Sequence, residues 1–293
     1  MSYADELFIN TCKAILDEGT STEGEKVRPH WEDGTPAYTI KKFGIVNRYD
    51  LRKEFPAITL RRTAIKSAFD EVLWIYQRKS NNIKDLKPHI WDEWADENGS
   101  IGKAYGYQVG NKFTTVGYHY DRDNVEHNPI ILDQMDTVLY TLKNTPFSRR
   151  IMISLWDVDD LNEMNLQPCC WSVNFNVTDE GGDKLVLNMV LNQRSADVLA
   201  ANNWNVCQYA LLLMMVAQVS NMIPGELIHV ITDAHIYDRH VPIVKELIER
   251  PTYYAPKVTL NPEITDFYEF TSNDVIITDY QYNDFTEKIP IAV

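Results

Sequence analysis

Residues 204–222 read WNVCQYALLLMMVAQVSNM. This segment is apolar almost all round the circumference of a helix, which is typical of a helix buried on every side. Asn202 and Asn203 precede the segment, and their short polar side chains are suited to cap its first turn. We therefore expect a long central helix, surrounded by the rest of the chain, to decide the fold.

The segments on either side of this helix predict further helices and strands. Helical spacing of apolar residues and strict alternation are the signals used. The predicted helices are 3–17, 62–79, 129–143 and 238–249, and the predicted strands are 171–177, 185–191 and 227–231, the last after a turn at Pro224-Gly225. The absence of a regular βαβ repeat favours α+β over a doubly wound sheet. The predicted fold is a single α+β domain, residues 1–293, with a mixed β-sheet packed by helices around the long buried helix and a small inserted lobe at about 80–130.

The composition is that of a soluble enzyme. The chain has 293 residues, of which 44% are hydrophobic, and a formal net charge of −14. No apolar run approaches the roughly 20 residues that a membrane-spanning helix needs, and the N-terminus lacks the features of a signal peptide. The negative charge disfavours attraction to nucleic acid or an anionic membrane. Four cysteines without an export signal indicate reduced thiols, so we expect a cytoplasmic protein.

Cys169 is the strongest candidate nucleophile, in Gln167-Pro168-Cys169-Cys170-Trp171. A thiolate is a strong nucleophile, and nearby positive charge lowers the pKa of a thiol. A free cysteine is more often a small buried hydrophobe, which is the interpretation we give Cys12 and Cys207. Cys169 and Cys170 are not spaced like zinc ligands and no CxxC pair completes a site, so no metal is expected. A Cys/His hydrolase is an alternative, but no protease signature surrounds Cys169.

Four arginines are candidates for binding a phosphate in this acidic chain. They are Arg28, Arg149, Arg150 and Arg194. The planar guanidinium binds phosphate oxygens bidentately. A lone arginine is more often a solvated surface charge, but the adjacent pair in Ser148-Arg149-Arg150-Ile151 favours a phosphate site. Neither a Rossmann nor a P-loop glycine motif is present to bind phosphate instead.

The candidate residues follow one another in a fixed order. Gln167–Trp171 precedes Gln193-Arg194-Ser195-Ala196-Asp197, and Asn205 and Asp233-Ala234-His235-Ile236-Tyr237 come later. The set resembles the thymidylate synthase family from about Arg28 to Val293. The resemblance implies a methyltransferase that converts deoxyuridine monophosphate to thymidine monophosphate, with methylenetetrahydrofolate as one-carbon donor and reductant. It also implies a homodimer whose subunits share active sites.

The resemblance assigns roles around the nucleotide. Cys169 adds to C6 of the pyrimidine, and Glu71 organises water and proton transfer. Asn205 reads the base, because its amide offers one donor and one acceptor. The other residues implied are Tyr105 near the nucleophile, Arg28, Arg194 and Ser195 at the phosphate, Asp197 between ring and folate, His235 and Tyr237 at the ribose hydroxyl, and Arg149 and Arg150 donated by the partner subunit.

A second set is implied to contact the folate. Its members are Ile90, Trp91, Trp94, Leu166, Asp197, Ala201, Trp204 and Ala292, the last in a C-terminal tail that closes over the bound folate. Three parts depart from the commonest family pattern. Cys170 and Ala64 stand where many members have histidine, and Ala201–Trp204 replaces a stretch with Gly, Pro and Phe. These departures touch the folate side more than the nucleotide side.

Two other functions fit parts of the pattern. A pyrimidine hydroxymethylase of the same superfamily would intercept the methylene intermediate with water instead of hydride. Asn205 in place of Asp favours uracil over cytosine but does not separate these two reactions, whereas product mass does. A non-catalytic nucleotide- or RNA-binding protein would leave the reactive residues unexplained, and the negative charge makes nucleic acid an unexpected partner.

Overall fold

The computed structural model describes residues 1–116 and 129–293. Within these ranges the α-helices are α1 (Tyr3–Glu18), α2 (Ile65–Val72), α3 (Gly106–Gly110), α4 (Gln134–Asn144), α5 (Asn202–Val219) and α6 (Val241–Leu247). A short π-helix, Leu73–Gln77, continues α2. Single 3₁₀ turns occur at Ile83–Asp85, Asp92–Trp94, Leu161–Glu163, Asp238–His240 and Phe267–Glu269. The helices predicted at 3–17, 62–79 and 238–249 are thus confirmed, whereas the lobe predicted at about 80–130 extends outside the described residues and stays a prediction.

Ten strands form one large sheet and two small ribbons in the described part of the chain. Their bounds are β1 (Thr20–Ser21), β2 (Thr39–Asp50), β3 (Phe113–Val116), β4 (Pro129–Leu132), β5 (Met152–Ser154), β6 (Cys170–Thr178), β7 (Val186–Asp197), β8 (Ile223–Tyr237), β9 (Lys257–Leu260) and β10 (Val275–Thr278). The large sheet has the order β1-β2-β8-β7-β6-β5. Strands β7 and β8 are parallel, and the other neighbours in this sheet are antiparallel. The prediction of an α+β fold with a mixed sheet is therefore confirmed.

The central helix α5 connects the two parallel strands. It follows β7, precedes β8 and packs against both. Leu211, Leu212 and Leu213 are fully buried, as is Met215. A parallel pair needs a crossover of a dozen or more residues, and α5 is that crossover. The segment that decides the fold in the sequence is thus the element that makes β7 and β8 parallel.

The two faces of the large sheet differ in what covers them. Asn47 of β2 lies opposite His229 of β8, and its side chain donates to Thr11 of α1 across 3.4 Å, so this face is covered by helices. Val46 pairs with Val230. Because successive side chains of a strand point to opposite faces, these two residues lie on the other face of the sheet. Val46 is 57% exposed, and the described helices do not bury it. The outer face of the sheet therefore presents apolar side chains to solvent.

The helix predicted at 129–143 is wrong in its first part. Residues 129–132 form strand β4, which pairs with β3, and α4 begins only at Gln134. Asp133 ends the strand and caps the helix, because its side chain accepts a hydrogen bond from the Asp136 N–H. Proline is tolerated as the first residue of a strand, and the apolar run after it pairs instead of coiling. The apolar spacing alone did not reveal this boundary.

Asn202 and Asn203 do not cap α5 but belong to it. Ala201 occupies the cap position without a side-chain hydrogen bond. Asn203 is buried, and its Oδ1 accepts from the Ile58 N–H at 3.2 Å and from the Thr63 hydroxyl at 2.6 Å. This side chain joins the start of α5 to the segment before α2. It therefore stabilises the packing between these two segments and does not cap the helix.

The turn predicted at Pro224-Gly225 is also wrong, because both residues lie inside β8. The chain turns earlier, at Asn221, whose φ of 54° is in the left-handed region. Gly225 is required for a different reason. A Cβ at this position would collide with the side chains of Asn188 and Val186 on the neighbouring strand. The glycine therefore allows close packing of β8 on β7 where the register shifts.

Gly106 packs against the backbone of Ser80. A Cβ at Gly106 would overlap the carbonyl oxygen and nitrogen of Ser80, and these backbone atoms cannot swing aside as a flexible side chain can. The preceding residue, Tyr105, holds a left-handed φ of 48°, which costs energy for a residue with a Cβ. The packing of Gly106 thus fixes the backbone that carries Tyr105.

Gly106→Ala should destabilise the protein by more than about 2 kcal/mol, because the backbone must move to relieve the overlap. Gly182→Ala is the matched control. It has open space around its Cβ and no left-handed φ, so it should change the free energy of unfolding by no more than about 1 kcal/mol. Denaturant unfolding followed by circular dichroism measures both effects. Equal stability of the two variants would contradict the packing at Gly106.

Candidate active site

Cys169 lies immediately before β6 and is held by backbone contacts on both sides. Its carbonyl oxygen accepts from the backbone N–H of Arg194 at 2.8 Å, and its own N–H donates to the hydroxyl oxygen of Tyr105 at 3.2 Å. The ladder between β6 and β7 shifts register between Cys170 and Ser172. Such an irregularity re-aims side chains next to it. Cys169 is only partly buried, so a small molecule is able to reach its thiol.

The guanidinium of Arg194 holds the segment that carries Cys169. Its Nε donates to the carbonyl oxygen of Pro168 at 3.0 Å, and its Nη2 donates to that of Gln167 at 2.8 Å. The same Nη2 lies 3.9 Å from Cys169 Sγ. Burial raises the pKa of the Cys169 thiol above its ordinary value, while the charges of Arg194 and Arg28 lower it and so oppose part of the burial effect. The two arginines stabilise a thiolate at this position.

The adjacent Cys170 is in a different environment. Its side chain is almost completely buried, and burial raises its pKa well above the ordinary thiol value. The two neighbours therefore differ in chemistry although they share a residue type. Partial exposure and the charges of Arg194 and Arg28 make a thiolate more accessible at Cys169 than at Cys170.

Glu71 is a buried carboxylate held by two indole N–H groups. Trp91 Nε1 donates to one carboxylate oxygen at 2.8 Å, and Trp204 Nε1 donates to the other at 2.6 Å. Burial raises the pKa of Glu71 to about 7, against the lowering effect of hydrogen bonds from Trp204, Trp91 and Gln208. A carboxyl group with a pKa near neutrality is suited to accept and return a proton.

The aromatic cluster around Trp91 joins Glu71 to the nucleophile segment. The rings of Trp91 and Tyr105 are 4.8 Å apart, and those of Trp91 and Trp94 are 5.7 Å apart, both in edge-to-face packing. Tyr105 in turn contacts Cys169, as described above. The cluster thus forms one continuous wall from the carboxylate to the thiol.

The amide of Asn205 is held between two glutamine side chains. Its Oδ1 accepts from Gln193 Nε2 at 3.2 Å, and its Nδ2 donates to Gln208 Oε1 at 2.9 Å. One lone pair and one N–H of Asn205 stay available after these two bonds. Asn205 therefore presents one acceptor and one donor in an orientation that its neighbours fix.

The end of β8 carries a second polar group. His235 Nδ1 lies 2.9 Å from Asp233 Oδ1, and the ring of Tyr237 packs edge-on to that of His235 at 5.1 Å. Burial raises the pKa of Tyr237 to about 12, so its hydroxyl keeps its proton at neutral pH. The nearby charges of Arg28 and Cys169 also act on this hydroxyl. Tyr237 therefore lies close enough to Arg28 and Cys169 to be influenced by their charges.

The C-terminal tail docks beside Asp197. His240 Nε2 lies 2.8 Å from the carbonyl oxygen of Pro290, and its Nδ1 lies 3.5 Å from Asp197 Oδ1. The last residue, Val293, exchanges two backbone hydrogen bonds with His30, at 2.9 and 3.0 Å. Burial raises the pKa of Asp197, but His240 and the Ala200 amide outweigh it, so this carboxylate stays ionised. The tail is thus held beside Asp197 by the backbone hydrogen bonds of Val293 and by the contact between the His240 ring and the Pro290 carbonyl.

The predicted site residues fall into two groups in the structure. Those joined to one another by the contacts above are Cys169, Arg194, Tyr105, Trp91, Trp94, Glu71 and Trp204, while Asn205, Asp197, His235 and Tyr237 have the separate partners given above and Arg28 acts on Cys169 through its charge. Arg149 and Arg150 are exposed before edge strand β5, and Ile90 is 37% exposed. Ser195, Leu166, Ala201 and Ala292 are partly buried, and no contact described above joins their side chains to Cys169.

Three polar residues of this region had no role in the sequence analysis. Gln193 and Gln208 hold Asn205, and His229 lies behind Gln193. All three are almost completely buried. These residues could have been found from the sequence, because strand or helix periodicity places each of them in the core although its side chain is polar.

Two further features of the described residues bear on the earlier expectations. They contain no group of three or more His, Cys, Asp or Glu side chains placed to hold a metal ion. Among the helices of residues 1–116 and 129–293, none has the length and apolar character needed to cross a membrane.

Comparison with known proteins gives one consistent result. The family model described as thymidylate synthase matches residues 6–293. The thymidylate synthases of Bacillus licheniformis and Bacillus subtilis subsp. natto are 40% and 38% identical over 288 residues, which are 97% of this chain and 97% of each relative. The solved structure of thermostable thymidylate synthase A from Bacillus subtilis matches with a TM-score of 0.88 and 38% identity over 99% of both chains. The resemblance recognised in the sequence is confirmed.

The elevated pKa of Glu71 predicts a pH-dependent stability. The pKa rises from 4.5 to about 7 on folding, so the folded protein retains a proton there that the unfolded chain releases. The stabilisation is complete below pH 4.5 and is lost as the pH rises through 7. The free energy of unfolding of the wild type, relative to Glu71→Gln, should therefore fall by about 3 kcal/mol between pH 4.5 and about pH 8.

Denaturant unfolding of both proteins at one fixed concentration measures this difference across the pH range. Glu93→Gln, which changes an exposed side chain, is the matched control and should leave the pH dependence of the wild type unchanged. A constant difference between the wild type and Glu71→Gln would show that Glu71 ionises as easily in the folded protein as in the unfolded chain.

Proposed function

The chain belongs to the thymidylate synthase family, and we infer from this membership that it is a methyltransferase that converts deoxyuridine monophosphate to thymidine monophosphate. We propose that Cys169 is its nucleophile. The observation that carries this proposal is the position of the partly buried thiol 3.9 Å from the guanidinium of Arg194, with the charge of Arg28 also acting on it. Two cations at one thiol suit both a thiolate and the phosphate of a nucleotide.

The first step is addition of the Cys169 thiolate to C6 of the uracil ring. A bond forms between Sγ and C6, and the ring electrons move toward C5 and O4, so that C5 becomes nucleophilic. Methylenetetrahydrofolate would supply the one-carbon unit that bonds to C5. Loss of the C5 proton would then allow the bond between this carbon and the folate nitrogen to break, which leaves an exocyclic methylene on the ring and free tetrahydrofolate. Hydride from tetrahydrofolate would complete the methyl group as dihydrofolate forms, and the bond between Sγ and C6 would break to release the product. The thiol is regenerated, so no external oxidant or reductant is needed.

Asn205 is proposed to bind the uracil edge that carries O4 and N3–H. Its free N–H matches O4 as an acceptor, and its free lone pair matches N3–H as a donor. The contacts with Gln193 and Gln208 support this role, because they fix the amide before the base binds. Negative charge on O4 during the addition strengthens the hydrogen bond from Asn205.

Glu71 is proposed to move the proton at the pyrimidine. Its pKa of about 7 supports this role, since a group that is half ionised at neutral pH both accepts and donates readily. The indoles of Trp91 and Trp204 hold its two oxygens in place. Tyr105 is proposed to fix the Cys169 backbone through its hydroxyl, so that the thiol stays aligned with the ring.

The remaining assignments concern the ribose, the phosphate and the folate. We propose that His235 and Tyr237 bind the ribose hydroxyl, which their position at the end of β8 supports. Arg28, Arg194 and Ser195 are proposed to bind the phosphate. The aromatic wall supports a flat pteridine ring next to the nucleotide, since aromatic side chains pack well against flat rings. The residues proposed at the folate are Ile90, Trp91, Trp94, Leu166, Asp197, Ala201, Trp204 and Ala292, and a cytoplasmic location stays a prediction.

A homodimer with shared sites is proposed from the outer face of the sheet. Val190 lies opposite Ile228 on this face, beside the exposed Val46, so a second copy would bury apolar surface there. Arg194 alternates with the buried Gln193 and therefore projects toward the same face. A partner packed on this face would approach the phosphate arginine, which supports donation of Arg149 and Arg150 in a twofold arrangement.

The function is tested by incubating the protein with deoxyuridine monophosphate and methylenetetrahydrofolate. Formation of dihydrofolate together with a nucleotide of the mass of thymidine monophosphate is the expected result. A hydroxymethylated nucleotide without dihydrofolate would identify the hydroxymethylase instead. Absence of any nucleotide product, with the nucleotide still bound, would favour a non-catalytic protein.

Substitution of the two neighbouring cysteines separates their roles. Cys169→Ser should lower turnover by at least about a thousandfold while it keeps nucleotide binding, because a hydroxyl is far less ionised than a thiol. Cys170→Ser is the matched control and should keep turnover within about tenfold. Steady-state kinetics and calorimetric titration with deoxyuridine monophosphate measure the two effects. The reverse order of activities would move the nucleophile to Cys170.

Mixing two inactive variants tests the shared site. Cys169→Ser and Arg150→Glu should each be inactive, but a mixed dimer would hold both defects in one site and neither in the other. Activity should recover to about a quarter of the wild-type value when subunits pair at random. Arg194→Glu mixed with Cys169→Ser is the control, since both residues serve the same site and each site would keep a defect. Failure of the first pair to recover, with heterodimers formed, would place phosphate binding within one chain.

A further inference from the structure

His229 is a fully buried histidine that the proposed mechanism does not use. It lies in β8, on the face covered by helices, opposite Leu191 of β7. Its Nε2 is 2.7 Å from Gln193 Oε1. Its Nδ1 is buried without a hydrogen-bond partner among the described residues. Burial lowers the pKa of His229 to about 3, so the ring is neutral at physiological pH.

A backbone carbonyl determines which way the Gln193 amide points. Gln193 Nε2 lies 2.9 Å from the carbonyl oxygen of Ser195, and only a donor is stable against a carbonyl. The nitrogen of Gln193 therefore faces Ser195, and its oxygen faces His229. Since that oxygen accepts, the His229 proton is on Nε2. The contact with Gln193 therefore selects the tautomer of His229 that is protonated on Nε2.

The same direction continues through Asn205 to Gln208. Gln193 Nε2 also donates to Asn205 Oδ1, and Asn205 Nδ2 donates to Gln208 Oε1. Gln208 in turn lowers the pKa of the buried Glu71 carboxyl. Each amide donates to the next acceptor, so one flipped member would set two donors or two acceptors against each other. These hydrogen bonds therefore all run in one direction, from donor to acceptor, along the series of amides.

The direction of this series of hydrogen bonds matters because uracil and cytosine place donors and acceptors in opposite order on the edge that Asn205 would bind. Uracil offers an acceptor at position 4 and a donor at position 3, whereas cytosine offers a donor and an acceptor at the same positions. The observed orientation of Asn205 fits uracil, and the flipped orientation would fit cytosine. A group that fixes the amide therefore also fixes the choice of base.

We propose that His229 is a positioning residue that fixes the direction of the Asn205 amide through Gln193 and so sets the preference for uracil over cytosine nucleotides. This inference rests on the proposed function, because it needs Asn205 to bind the base. A purely structural role does not explain the residue well. A buried imidazole with one satisfied nitrogen costs free energy relative to an aliphatic residue, and its neighbours along the buried face, Leu227 and Ile231, are aliphatic.

The test compares His229→Leu, which removes the donor, with His229→Gln, whose side-chain N–H can still donate to Gln193 Oε1. The ratio of kcat/KM for deoxyuridine monophosphate to that for deoxycytidine monophosphate is measured for each. We expect His229→Leu to lower this ratio by at least about tenfold, the loss of one oriented hydrogen bond. His229→Gln should keep the ratio within about threefold of the wild-type value.

Leu227→Ala is the matched control for loss of core packing on the same strand. It should lower the thermal stability and leave the ratio unchanged. If His229→Leu does not fold, His229→Met, which keeps more volume and also lacks a donor, takes its place. An unchanged ratio in the donor-free variant would overturn the proposal, and so would an equal loss in His229→Gln.

Failure of the proposed function has a separate signature. A wild-type protein that does not turn over deoxyuridine monophosphate would contradict the function itself. Calorimetric titration of wild type and variants with the two nucleotides would then still report the base preference. A preference for uracil that is lost in His229→Leu and kept in His229→Gln supports the positioning role, whereas equal binding of both nucleotides by the wild type overturns it.

Discussion

The parallel pairing of β7 with β8 is the constraint on which the site depends. In this register Ser195 lies opposite Asp233 and Asp197 lies opposite His235, so the carboxyl ends of both strands supply polar side chains to one edge of the sheet. Parallel neighbours require a crossover, and α5 is a helix long enough to provide it. Its first turns begin directly after β7, which brings Asn205 to the same edge. The fold thus collects distant parts of the chain before any ligand binds.

Burial raises the pKa values of Glu71 and Cys169 and also makes hydrogen bonds to the buried polar groups obligatory. A carboxylate such as Glu71 is stable in the core only with donors at its oxygens, and the indoles of Trp91 and Trp204 provide them. Arg194 satisfies its own donors on backbone carbonyls while its charge stays near the Cys169 sulfur. The same bonds therefore stabilise the fold and influence the proton affinity of Glu71 and Cys169, so changes in stability and in pKa are coupled.

Prediction from the sequence was most accurate where a local pattern determines the structure. The buried apolar helix was identified because its apolar residues surround the whole helix, whereas the role of Cys169 stays a prediction. The strand at 129–132 was missed because pairing with β3, a contact between separate segments, outweighs local helical spacing. Asn203 was interpreted as a cap for the same reason, since its partners Ile58 and Thr63 are far away in sequence. Polar residues in the core have a role only through partners, which one sequence does not name.

Trp204 belongs to a segment that differs from the commonest family pattern, and its position is relevant to the choice between methylation and hydroxymethylation. A carboxylate offers about four acceptor positions, and Trp91 and Trp204 each occupy one of them on Glu71. Fewer positions are then left at which this carboxylate could hold and activate an attacking water. Phenylalanine at position 204 would free one of them, because it has no N–H. Under the proposed mechanism, the indole would therefore leave Glu71 fewer positions for a water that could compete with hydride.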